Sequence, residues 1–102
     1  MAIIYNLELN EQAEYQLKEA IAWYEDQKEN LGNLFLAEIK KSLVYITDNP
    51  FQYSKIYKDF RKCLTKTYPY WIFYEIVEKD AKIIVLGFFH TSRNPKNWKK
   101  LF

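Results

Sequence analysis

Residues 70–90, "YWIFYEIVEKDAKIIVLGFFH", decide the fold. Within them "YWIFYEIV" (70–77) and "KIIVLGFFH" (82–90) carry apolar residues at both odd and even positions. A strand with one wet face alternates apolar and polar residues, whereas a strand covered on both faces is apolar throughout. The two runs therefore predict central strands, and "EKDA" (78–81) predicts the hairpin turn between them. Glu75 interrupts the first run and is expected to face solvent at a bend or to pair with a basic neighbour. Upstream, "FRKCLTKT" (60–67) is short and mixed, which reads as an exposed strand. "IIYNLEL" (3–9) is β-rich and reads as an opening strand that pairs with a later one.

Between these strands the period changes. Asn10 is placed as an N-cap, with Glu11 and Glu14 favourable near a helix N-terminus. Ala13, Leu17, Ala20, Ile21 and Tyr24 then recur at helical spacing, predicting an amphipathic helix to about Lys28. "ENLG" (29–32) breaks it, and Gly32 is expected to take a left-handed turn. A second helix buries Phe35, Leu36, Ile39, Leu43 and Ile46, and ends at "DNP" (48–50), because Pro50 disfavours a helical Asn49. So short a break predicts an antiparallel helical hairpin. The expected architecture is α+β, in the order β-α-α-β-β-β, with the hairpin packed on a small curved antiparallel sheet. The 102 residues form one domain over 1–102, without repeats or linkers.

Composition removes several function classes. One cysteine, Cys63, excludes a disulfide framework and fits a reducing cytoplasm. One His and one Cys do not make a zinc site, and neither a metal nor another cofactor is expected. No run of about 18 apolar residues and no signal-peptide layout occur, so no membrane association is expected. Gly32 and Gly87 are the only glycines, which leaves no phosphate loop. Ser42, Ser54 and Ser92 stand in no nucleophile-elbow context, and Cys63 reads as a small core residue rather than half of a thiol dyad with His90.

Charge is unevenly spread. Residues 1–50 hold nine acids and four lysines, a balance of −5, whereas residues 51–102 hold four acids and eleven bases, a balance of +7. The second half therefore suits a polyanion or an acidic protein partner. Its bases fall in two clusters: Lys55, Lys58, Arg61, Lys62 and Lys66, then Arg93, Lys96, Lys99 and Lys100. Tyr53, Tyr57, Tyr68 and Trp98 are interleaved with them, as bases and phosphates of a nucleic acid would require. The candidate target-binding set is Lys58, Arg61, Lys62, Lys66, Arg93, Lys96 and Trp98. Cutting RNA needs a proton acceptor, cations on the developing phosphorane and a proton donor. His90 with Arg61 and Arg93 is the set with that chemistry, because His titrates near neutrality and Arg clamps phosphate through two bonds. The alternative is structural: His90 closing a strand end and Arg93 pairing with a helix carboxylate.

"EAIAWYEDQKENLGNLFLAEIKKSL", "NPFQY", "FRKCLTKTYPYWIFYEI" and "IIVLGFFHTSRNPKNW", in that order, resemble the RelE/ParE toxins of bacterial type II toxin–antitoxin systems, including plasmid-stabilisation proteins. The likeness runs from about Ala13 to Trp98, and its spacing is more specific than any single piece. It implies a growth-inhibiting toxin neutralised by a cognate antitoxin, whose C-terminal segment wraps the toxin in a hetero-oligomer. ParE-like relatives inhibit DNA gyrase without cutting RNA, whereas RelE-like relatives cut messenger RNA on the ribosome. "WYE", "LG" and the "PY" strand lie closer to the ParE type, and the chain ends in Leu101 and Phe102 without the C-terminal tyrosine of RelE-type chemistry. The expectation is thus a gyrase-binding toxin. Its alternatives are an mRNA endonuclease using Arg61, His90 and Arg93, and an inactive toxin-fold binding module.

Overall fold

The computed structural model describes residues 3–92. Strand β1 (Asn6–Leu9) leads into α1 (Glu11–Gln27) and α2 (Leu31–Asp48), followed by a 3-10 turn at Pro50–Gln52. The rest is sheet: β2 (Lys55–Tyr57), β3 (Phe60–Leu64), β4 (Tyr70–Val77) and β5 (Lys82–His90), with a 3-10 turn at Glu78–Asp80 joining the last two. The expected α+β class holds, and both long strands have the expected bounds.

Local chemistry explains the helix ends. The Asn10 carboxamide oxygen accepts the Ala13 N–H at 2.8 Å, satisfying one of the free donors of the first turn of α1. At the other end the Lys28 N–H closes on the Tyr24 carbonyl at 3.2 Å. The left-handed residue between the helices is Asn30 (φ 71°), not Gly32. Gly32 lies inside the first turn of α2 and is buried. Its missing side chain serves close approach: a Cβ there would stand 2.8 Å from the Ile21 carbonyl oxygen of α1. Sequence spacing places a glycine near the break, but only the packing of the two helices says which need it meets.

The sheet order is β1-β5-β4-β3-β2. It differs from the antiparallel four-strand expectation in two respects. First, β1 pairs β5 in parallel, with Leu7 opposite Ile83 and Leu9 opposite Val85. A parallel pair needs a long crossover, and here the helical hairpin and the intervening strands supply it. Second, β2 is a three-residue edge strand, too short to leave a periodic signal, folded back on β3 by a turn in which Lys58 has φ 50°.

One face of the sheet carries Ile72 and Tyr74 of β4 and Ile83 and Val85 of β5 into a core with Ala13, Ala20, Tyr24, Phe35, Ile39 and Ile46 of the hairpin. Tyr24 stacks on Phe35 at 4.6 Å, and Tyr68 meets both rings edge-on. No helix among the described residues is long and apolar enough to cross a membrane.

Candidate functional site

The register of β5 decides which way its end faces. Tyr74 pairs Val85 and Phe73 pairs Gly87, so Leu86 falls between consecutive partners as an extra residue. Such a bulge inverts the alternation beyond it. Ile83 and Val85 point to the helices, and after Leu86 that role passes to Phe88 and His90. Gln16 of α1 completes the arrangement, accepting the Phe88 N–H at 2.9 Å. Gly87 leaves room for this contact, since a Cβ would lie 2.9 Å from the Gln16 Oε1 and closer still to the Phe89 ring, and both side chains would have to shift. His90 therefore opens into a groove of about 560 Å³ between α1 and the end of β5, lined by Gln16, Glu19, Ala20, Trp23, Tyr70, Phe88, His90 and Ser92.

The Ser92 N–H donates to His90 Nδ1 at 3.0 Å, and the Ser92 hydroxyl stands 2.7 Å from the same atom. A backbone N–H only donates, so Nδ1 is the acceptor and the neutral ring carries its proton on Nε2. The ring meets Tyr70 edge-on at 5.4 Å.

Arg61 is elsewhere. It pairs Tyr74 across the sheet, whereas His90 pairs Tyr70. Four residues along β4 and two strand spacings across put their Cα atoms about 16 Å apart. The Arg61 guanidinium turns towards the 3-10 turn after α2, where Nη1 donates to the Tyr53 carbonyl at 2.6 Å and the Phe51 carbonyl at 3.3 Å. It also lies over the Phe51 ring at 5.2 Å. Tyr74 works beside it, its buried hydroxyl donating to the Pro50 carbonyl at 2.6 Å. Burial pushes the Tyr74 phenol well above its usual pKa and that of Tyr53 up to about 12. These groups tie the connector after α2 to the sheet.

The remaining candidates divide between surfaces. Lys62 lies opposite Phe73 on the sheet face away from the helices, with its ammonium 4.3 Å over the Trp71 ring. Phe73 and Phe89 share that face at 5.2 Å. Lys58 sits over Tyr57 at 5.3 Å at the sheet edge. Lys66 is exposed in the loop before β4, at the same end of the sheet as His90, because the Thr91 N–H donates to the Pro69 carbonyl there. Arg93, Lys96 and Trp98 lie outside the described residues. Of the tyrosines interleaved with the bases, Tyr53 and Tyr68 pack against the core, and Tyr57 is at the rim. Glu75 is half-buried on the outer face, opposite Phe60 and Ile84.

Cys63 pairs Ile72 on β3 and is 3% exposed, so it stands in the core well apart from the strand end that holds His90. Burial pushes its thiol up, a hydrogen bond from Tyr53 acting against that shift. Among the described residues no group of three or more His, Cys, Asp or Glu lies together as a metal site.

Glu25 carried no signal in the sequence beyond its charge. Its carboxylate accepts the Asn30 N–H at 2.8 Å and the Gly32 N–H at 2.9 Å, so α1 caps the N-terminus of α2.

A helical hairpin on one face of an open five-stranded mixed sheet is consistent with the RelE/ParE toxin folds. The chain belongs to the family described as the ParE toxin of type II toxin–antitoxin system, parDE, whose sequence profile matches residues 7–95. No curated protein matches it. Among solved structures, the chromosomal ParDE system of P. aeruginosa aligns with a TM-score of 0.75 and 11% identity, over 87% of this chain and 98% of that one. The intact E. coli RelBE toxin–antitoxin complex aligns with a TM-score of 0.67 and 18% identity, over 87% and 99%. The isolated E. coli RelE toxin gives 0.67 and 17%, over 95% of both chains. At such identities the likeness concerns the fold.

Proposed function

We propose that this toxin inhibits growth by binding DNA gyrase, without a chemical step of its own, and that a cognate antitoxin neutralises it in a cytoplasmic hetero-oligomer. One observation carries the choice of target. Arg61 and His90, two members of the nuclease set, are held about 16 Å apart, and the Arg61 guanidinium is engaged by main-chain carbonyls. A phosphorane needs its cation and its proton donor within hydrogen-bond reach of one phosphate. The ParE profile over residues 7–95 supports the same target. For the antitoxin, the support is that the P. aeruginosa and E. coli neighbours include toxin–antitoxin complexes. The basic second half suits an acidic, wrapping partner segment.

The second reading is a ribosome-dependent mRNA endonuclease. It is favoured by one feature: His90 lines an open groove with its ring held in a single tautomer. Two assays separate the readings. Purified toxin is added to gyrase and supercoiling is followed, and abundant messages are mapped by primer extension after brief induction without antitoxin. Loss of supercoiling with intact messages is the expected result. New message ends that vanish in His90→Ala would replace it with the nuclease reading. Growth unaffected by expression would leave a toxin fold that acts only as a binding module.

A further inference from the structure

The groove between α1 and the end of β5 is poorly suited to a phosphate. Glu19 is its one charged lining residue among those described. Around it, α1 carries Glu11, Glu14, Glu25 and Asp26 against Lys18. Among the described residues, the α1 wall of the groove is therefore acidic, which suits a cation better than an anion.

We infer that this groove seats an arginine side chain presented by a partner protein. Glu19 and Trp23 are four residues apart on α1, so carboxylate and indole stand on one strip of the helix, one turn apart. Trp23 is 57% exposed and meets Tyr24 edge-on at 5.0 Å, which leaves much of the indole open to a ligand. A guanidinium stacks on an indole face and at the same time donates two parallel N–H bonds to a carboxylate; an ammonium does not combine the two. Phe88, Tyr70 and Ala20 supply apolar wall for the methylene stem. Tyr15, one turn earlier, lies beside the Glu19 carboxylate, which raises the Tyr15 pKa. His90 Nδ1 is already engaged by the Ser92 N–H and hydroxyl. The inference is independent of which target the toxin has.

The test is a titration of the full-length 15N-labelled chain with N-acetyl-arginine methylamide, followed by two-dimensional NMR, with the lysine analogue and guanosine monophosphate in parallel. Arginine is expected to move the Trp23 indole N–H and the amides around His90, and to bind more tightly than lysine. Glu19→Gln, an exposed and nearly isosteric change, is expected to weaken it roughly fivefold. A Glu19→Gln spectrum otherwise like the parent's shows that the variant is folded. Three results would overturn the inference: no shift at Trp23 with arginine up to its solubility limit, equal binding by Glu19→Gln, or shifts with the nucleotide alone. The last would make the groove a base-binding site and would favour the nuclease reading.

Discussion

Replacing Gly32 by alanine sets two opposed effects against each other. On helix propensity alone, alanine inside α2 should stabilise by about 1 kcal/mol. Its Cβ, however, would stand 2.8 Å from the Ile21 carbonyl oxygen and 3.0 Å from Glu25 Oε1. That is about 0.7 Å inside ordinary contact. The Ile21 oxygen is helix backbone and has no rotamer by which to escape, so relief requires α2 to move off α1. Overpacking of this kind costs about 1–3 kcal/mol. Displacing Glu25 also weakens the cap on Asn30 and Gly32, worth about 1 kcal/mol. The net expectation is a loss of about 1–3 kcal/mol, a fall in Tm on the order of 5–20 °C for a domain of this size. Urea unfolding of the isolated toxin, at one protein concentration and with m unchanged, is the assay. Glu25→Ala should cost about 1 kcal/mol alone and less than that in the Gly32→Ala background, since the two changes damage the same cap. A Gly32→Ala variant as stable as the parent would refute the close-approach reading and leave helix propensity in control.

Four further outcomes are expected. Arg61→Ala removes both Nη1 bonds, to the carbonyls of Phe51 and Tyr53, and should lower stability by about 1–2 kcal/mol in the same urea assay; full stability would return Arg61 to the pool of free cations. Tyr53 is raised from 10.0 to about 12, chiefly by burial, and the Tyr74 phenol is raised too. Both are neutral in the fold, so their contribution is intact below about pH 10 and is lost as pH rises towards about 12; urea midpoints over that window should fall, and less so for Tyr53→Phe. Native Cys63, buried and with its thiol pushed up, should react with a disulfide reagent no faster than the protein unfolds, and immediate labelling would contradict its placement. Ala81, at φ 50° and ψ 48°, is in the left-handed region, so Ala81→Gly should raise the urea midpoint by up to about 1 kcal/mol in stability.

Much of the fold was legible because its signals are local. The Asn10 cap is a short-range contact between residues 10 and 13, and the stripes from Ala13 to Tyr24 and from Phe35 to Ile46 are periodic over many turns. The bounds of β4 and β5 coincide with the edges of their apolar runs. The strand β2 was missed because three residues carry no period, and the parallel pairing of β1 because strand direction follows from where the chain returns. The candidate site was legible only as residue types. Arg61, His90 and the lysines could be picked out of the second half by their chemistry alone. Nothing in their spacing says that Arg61 turns to the carbonyls of residues 51 and 53, or that Lys62 and His90 stand on opposite faces.

By itself the sequence determined the helical hairpin, the two central strands, a basic second half and the family. Tertiary structure decided where the functional groups point. The extra residue Leu86 in β5 moves His90 from the outer face to the helix side, because a strand's side chains alternate and one inserted residue inverts them. Contact between α1 and α2 turns Gly32 from an expected turn residue into a packing requirement, and Glu25 from a surface acid into a helix cap. Such assignments depend on the distance between atoms far apart in the chain, and a linear order of residues does not contain that distance.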